Sequence, residues 1–194
     1  MIYELSNMIV TYLEKNIILD HDREIYIHGC NMIISTGIGT ILIIFIGILI
    51  NRLFIAFIYE LVMSSSRCIL GGYHCSSHKK CIILYVTLFC AGIFLERFIY
   101  VNFVSICAIN ILSIIIVCEY NPVQNINKII SKQKFYLFKK LSLLYIFLHL
   151  FIINYLYFTD SIFLNNFIYM IFVIHILTVG GTYELKKNIF IDNF

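Results

Sequence analysis

Long apolar runs set the pattern of this chain. Residues 25–51, 98–118, 141–159 and 161–183 contain no Asp, Glu, Lys or Arg. A helix needs about 20 such residues to cross a bilayer. Only helices and closed barrels satisfy their backbone hydrogen bonds in hydrocarbon, and the runs lack the alternation of a barrel strand. Each run therefore predicts a spanning helix.

The predicted elements follow in order. Within residues 1–24, Ile2, Leu5, Ile9, Tyr12 and Leu13 recur at helical spacing, with Glu4, Asn7, Glu14 and Lys15 largely opposite. This predicts an amphipathic helix suited to the membrane surface. A first span covers about 30–50, with Ser35 and Gly39 as a small pair for helix packing. Leu53 to Ser66 is shorter and interrupted by Glu60; it reads as a short span or a re-entrant element. After a polar segment come a span at about 81–95, a tight connection at Glu96-Arg97, a span at 98–118 and a polar loop at 119–140. Two last spans, about 141–158 and 161–179, are separated by Thr159 and Asp160. Gly180-Gly181 is expected to end the last helix before a tail with Lys186 and Lys187. No internal repeat is visible.

Composition agrees. Of 194 residues, 61% are hydrophobic and 13% charged, and the mean hydropathy is +0.91. A soluble domain carries about a quarter charged residues, so that class is excluded. The expected fold is all-α: a polytopic integral membrane protein of about six transmembrane helices with an N-terminal amphipathic helix, as one domain over 1–194. Cys30, Cys90, Cys107 and Cys118 lie in or beside apolar runs and read as small buried hydrophobes rather than a disulfide framework. Residues 1–24 lack a basic start followed by an apolar run, so no signal peptide is expected.

The net charge of +3 is unevenly placed. Lys128, Lys132, Lys134, Lys139 and Lys140 crowd the loop at 119–140, which the positive-inside rule assigns to the cytoplasm. The connections at 96–97 and 159–160 hold one basic residue between them and face out. The segment around Lys79-Lys80 and the C-terminus then fall inside. If Leu53–Ser66 crosses, there are six spans and the N-terminus is inside as well.

Chemistry concentrates in Arg67-Cys-Ile-Leu-Gly71-Gly72-Tyr-His74-Cys75-Ser-Ser77-His78-Lys-Lys-Cys81. Ionisable groups at a membrane boundary are expensive and usually functional. One reading is a thiol peptidase with Cys81 as nucleophile and His74 as base, because a helix start and nearby cations favour a thiolate. Ser76 or Ser77 would cap that helix. On one straight helix, residues seven apart are separated by about 10 Å along the axis. His74 must therefore precede the cap and fold back, with Gly71-Gly72 supplying the turn. A second reading is a zinc site of His74, Cys75, His78 and Cys81, although the H-E-x-x-H pattern is absent. A third is a plain polar loop in a transporter or scaffold. Cys75 and His78 are rival nucleophile and base. Glu60 is a packing residue or a third catalytic group, and His149 and His175 read as hydrogen-bonded core histidines.

Arg67, Gly71-Gly72-x-His74 and Cys81 seven residues after the histidine resemble the accessory gene regulator protein B (AgrB) family, membrane peptidases that mature quorum-sensing peptides in Gram-positive bacteria. The resemblance implies His74 and Cys81 as the catalytic pair, with Arg67, Gly71 and Gly72 in support. It implies an AgrD-type propeptide as substrate, with an amphipathic leader, a core containing a cysteine or serine, and an acidic tail. Cleavage at the core–tail junction would yield a thiolactone or lactone. The lysines at 128–140 would attract anionic lipid or the acidic tail. No cofactor, metal or nucleic-acid partner is expected, and a homodimer is reasonable for so small a protein. In its second polar loop the family often carries Pro-Ala-Asp followed by a basic residue and another proline. Asn121-Pro122-Val123-Gln124 keeps the first proline and lacks the aspartate and the second proline.

Overall fold

The computed structural model describes residues 2–16, 23–73, 75, 77–123 and 131–192, with side chains described as far as Leu185. Every regular element among them is a helix: α1 (Ile2–Asn16), α2 (Arg23–Leu49), α3 (Leu53–Ile69), α4 (His78–Leu95), α5 (Phe103–Tyr120), α6 (Lys132–Phe158) and α7 (Leu164–Asp192). Five of these, α2, α4, α5, α6 and α7 as far as Leu185, are long and apolar enough to cross a membrane. The protein is thus an all-α, multi-pass membrane protein. α3 has 17 residues, about 25 Å at 1.5 Å per residue, and falls short of a hydrocarbon core of about 30 Å.

The chain forms two compact units: residues 1–56 with 75–89, and residues 57–74 with 90–194. In the first, α1 packs on α2 through Ser6 and Val10, both fully buried. Arg23, the first residue of α2, fastens the polar side of α1. Its Nε lies 3.0 Å from the Glu14 carboxylate, and its Nη2 donates to Asn7 Oδ1 at 2.7 Å and Thr11 Oγ1 at 2.9 Å. Leu5, Met8, Ile9 and Tyr12 remain exposed as an apolar strip, which fits the amphipathic helix expected there. Along α2 the buried residues fall at every fourth position: Ile27, Asn31, Ser35, Gly39, Ile43 and Gly47. A Cβ on Gly39 would sit 3.5 Å from the Tyr85 ring, and one on Gly47 would meet Ala56 Cβ at 2.6 Å. Ser35 and Gly39 therefore belong to a longer close-packing face.

In the second unit α5, α6 and α7 pack pairwise around Ile106, Val117, Ile146, Leu150, Ile153, Ile168 and Ile171. Several polar side chains within these helices find hydrogen-bond partners across or along the helices. Asn110 and Asn154 exchange amide hydrogen bonds at 3.3 and 3.4 Å. His175 Nε2 lies 2.7 Å from Ser113 Oγ, and His149 Nδ1 lies 3.0 Å from the Tyr145 carbonyl. Both histidines are buried, hydrogen-bonded core residues, as the sequence reading favours.

Several expected boundaries move. α5 begins at Phe103 instead of 98, because Asn102 Oδ1 accepts from Ser105 N–H at 2.8 Å and sets the N-cap. Hydrophobicity alone places no such start. α6 begins at Lys132, so Lys132, Lys134, Lys139 and Lys140 stand on a helix and not in a loop; Lys128 lies outside the described residues. The connection from α6 to α7 takes five residues, 159–163, and not two. Gly180-Gly181 does not end α7, which continues to Asp192. Cys30 and Cys107 are half-buried, whereas Cys90 and Cys118 are exposed on the outer faces of α4 and α5. Their apolar neighbours therefore mark helix surface and not protein core. None of the seven cysteines is in a disulfide.

Candidate active site

The segment from Arg67 to Tyr73 is built from the end of α3 outward. Tyr145 Oη donates to the Val62 carbonyl at 2.7 Å and lies 2.9 Å from Ser65 Oγ. Ser142 Oγ donates to the Ile69 carbonyl at 3.3 Å. These bonds hold the last two turns of α3 against α6. Leu70, fully buried, accepts from Val123 N–H at 3.0 Å. The chain then turns at Gly71 (φ +75) and Gly72 (φ +140), values that only glycine adopts without strain. A Cβ at Gly71 would also stand 2.7 Å from the Val123 carbonyl oxygen.

Next the loop meets α7. Tyr73 N–H donates to the Leu177 carbonyl at 2.8 Å. In an α-helix that carbonyl pairs with the N–H of Gly181, four residues on. Because Gly181 has no side chain, the loop backbone can reach it. A Cβ on Gly181 would lie 2.6 Å from the Gly72 carbonyl carbon and 2.7 Å from Tyr73 N. The glycine pair read as a helix stop is instead a docking notch. Arg67 Nη2 donates to the Tyr73 carbonyl at 3.3 Å, so both faces of that residue's backbone are held immediately before His74. His74 itself lies outside the described residues.

On the far side of His74, Ser77 starts α4. Its Oγ accepts from Lys80 N–H at 3.4 Å, a long N-cap bond, and its carbonyl accepts from Cys81 N–H at 3.1 Å. Ser76, the other candidate cap, lies outside the described residues. Cys81 is thus the fourth residue of α4, half-buried in the first turn, where the expectation placed it. The helix end adds positive potential to that of Lys79 and Lys80, both exposed.

Arg67, Gly71 and Gly72 gather in the second unit, while Cys75, His78 and Cys81 belong to the first. Among the described residues no three or more His, Cys, Asp or Glu side chains come together to hold a metal. Cys75, His78 and Cys81 therefore do not converge as the zinc reading requires. Glu60 is half-buried on α3. Of the lysines, Lys132, Lys134 and Lys140 are exposed. Lys139 is half-buried, and its ammonium donates to the Cys118 carbonyl in the last turn of α5. That is a favourable place for a cation, and a role the lysine count could not reveal.

A family model described as accessory gene regulator B matches residues 6–179, which includes the whole Arg67–Cys81 segment and all seven helices at least in part. The chain belongs to the AgrB family. A protein of Clostridium perfringens (strain SM101 / Type A) with the name AgrB-like is 32% identical over 142 residues, 69% of this chain and 66% of that relative. The chain thus spans a little under two thirds of the relative's length. No solved structure matches it. Membership supports a role in the agr quorum-sensing system. Val123 and Leu177, which hold the glycine turn of this AgrB chain, escaped the sequence reading, and Gly181 entered it only as a helix stop. The one available signal was that the helical apolar pattern resumes after Gly181.

Gly181→Ala should force a methyl into the Gly72–Tyr73 backbone, with overpacking that costs about 1–3 kcal/mol. Thermal unfolding in detergent should shift down, and the Tyr73 amide should exchange faster. Gly37→Ala in α2, where nothing stands within 4 Å of the added carbon, should be neutral or gain up to about 1 kcal/mol. Equal behaviour of the two variants would contradict the docking notch.

Proposed function

We propose that this chain is a membrane cysteine endopeptidase that removes the C-terminal tail of an AgrD-type propeptide and closes the core into a thiolactone or lactone. The observation that carries the reading is the position of Cys81 in the capped first turn of α4, seven residues after a histidine that follows a glycine turn fixed to α7. The AgrB family match supports it.

The chemistry follows from the residue types. Cys81, as thiolate, attacks the carbonyl at the core–tail junction. His74 delivers a proton to the leaving amine, the C–N bond breaks and the acidic tail departs, leaving the core as a thioester on Cys81. The core's own thiol or hydroxyl, losing its proton to His74, attacks that thioester, and Cys81 leaves as thiolate. Exchange of one thioester for another costs little free energy, so exclusion of water decides between ring closure and hydrolysis. α3 is about 5 Å shorter than the hydrocarbon core, a length that would draw the following loop inward from the membrane surface.

Lys132, Lys134 and Lys140, with Lys128, serve in this reading as the attachment for the acidic tail at the positive end of α6. That end, the Arg67–Cys81 segment and the C-terminus face the cytoplasm, and the connections at 96–102 and 159–163 face out.

Cys81→Ala and His74→Ala should each abolish propeptide cleavage. The double variant should be little worse than either single one, because the two act as a unit. Cys75→Ala and His78→Ala should keep substantial activity, and chelators should leave the enzyme active. Cleavage that survives Cys81→Ala sinks the thiol mechanism.

Replacing Lys132, Lys134 and Lys140 by Gln should weaken propeptide binding and flatten its salt dependence. Binding unchanged at low and high salt leaves these lysines to lipid alone. A lone cysteine at 132 should react with an impermeant maleimide only after permeabilisation, and one at 160 should react from outside. The reverse pattern overturns the orientation.

A further inference from the structure

Within the second unit, α5, α7 and the end of α4 enclose a cavity of about 420 Å³. Its walls include Leu95, Phe98, Ile109, Leu112, Ile168 and Phe172. Volume and lining fall in the range of ligand pockets, which are mostly apolar with a few placed polar groups. Here the residues with polar groups are Ser113, Tyr169 and His175, and a 2.7 Å hydrogen bond between Ser113 and His175 links α5 to α7. His175 Nδ1 is buried and the rest of the lining is nearly all apolar, so water finds few of the two to four partners it needs and the space suits hydrocarbon. Phe98, Leu112 and Phe172 are more than half exposed at the rim, and α5 and α7 are both membrane-spanning helices. The mouth therefore opens to the acyl chains of the bilayer.

One end of the groove carries a charge. Glu96 and Arg97 lie in the α4–α5 connection between the lining residues Leu95 and Phe98; Glu96 is buried and Arg97 is exposed, so the guanidinium is the charge presented outward. From Ile168 to His175 the groove follows about 10 Å of α7, a depth open to a lipid tail but not to its headgroup. We propose that this groove is a binding site for one anionic phospholipid, with an acyl chain along α5 and α7 as far as His175 and the phosphate at Arg97. The lipid would fill what would otherwise be an unpacked space beside α7, one turn or less before Leu177, the residue that holds the glycine turn.

The chain contains no tryptophan, which makes the test direct. Phe172→Trp places a single reporter on the groove, Phe98→Trp a second on its rim, and Phe151→Trp a control on the exposed face of α6. Each full-length variant is reconstituted in mixed phosphatidylglycerol–phosphatidylcholine vesicles, with brominated chains on one lipid or the other. At 172 and 98, brominated phosphatidylglycerol should compete for the site about fivefold better than brominated phosphatidylcholine, the factor contributed by one basic residue near the surface. Arg97→Gln should remove that preference. The control at 151 should report equal quenching by both lipids. Equal quenching at 172 and 98 as well, or a preference that survives Arg97→Gln, overturns the proposal.

Discussion

The approach of the 71–73 backbone to α7 at Gly181 is the contact on which the candidate site rests. The two main chains lie this close because Gly181 carries no Cβ: a methyl there would meet the Gly72 carbonyl carbon at 2.6 Å, while Gly72 itself is required by its φ of +140. Near hydrocarbon an unmade backbone hydrogen bond is costly. Tyr73 N–H to the Leu177 carbonyl, and Leu70 to Val123, meet that requirement with partners from two other parts of the chain. α7 is the most enclosed of the five candidate spans, so the loop is tied to the best-packed helix available. Arg67 then holds the other face of Tyr73, and the residue that follows is His74.

The same helix serves two needs along its length. Its first half packs through Ile168 and Ile171 against α5 and α6 and carries His175 onto Ser113. Further along, it presents Leu177 and Gly181 to the glycine turn. Helix packing in a membrane depends on fit and polar pairing, because hydrocarbon gives apolar faces no drive to associate. A gap in that fit beside α7 thus bears on how firmly the turn is held.

What could be read from the sequence divides along physical lines. Spans were legible because a run without charge is a local property, and α2, α4, α5, α6 and α7 all lie where such runs occur. Their ends were less so. Asn102 caps α5 five residues inside an apolar run, and Gly180-Gly181, which local rules read as a stop, is continuous helix because tertiary packing uses the glycines for close approach. At the site, Arg67, Gly71 and Gly72 stood out by residue type and spacing. Val123 and Leu177 act through main-chain atoms, which leave no mark in side-chain identity, and lie about 50 and 105 positions from Gly71 and Gly72. Lys139 was counted with the loop lysines, although its ammonium belongs to the end of α5.

The central claim is covalent chemistry at Cys81, and the acyl-enzyme itself is its most direct evidence. A propeptide whose ring-forming core residue is replaced by Ala lacks the internal nucleophile and should stall after tail release. Mass spectrometry of the protease-digested enzyme should then find the core peptide attached to the fragment that carries Cys81, in a bond cleaved by hydroxylamine. Tail release with no such adduct, or an adduct on Cys75 instead, would contradict the account.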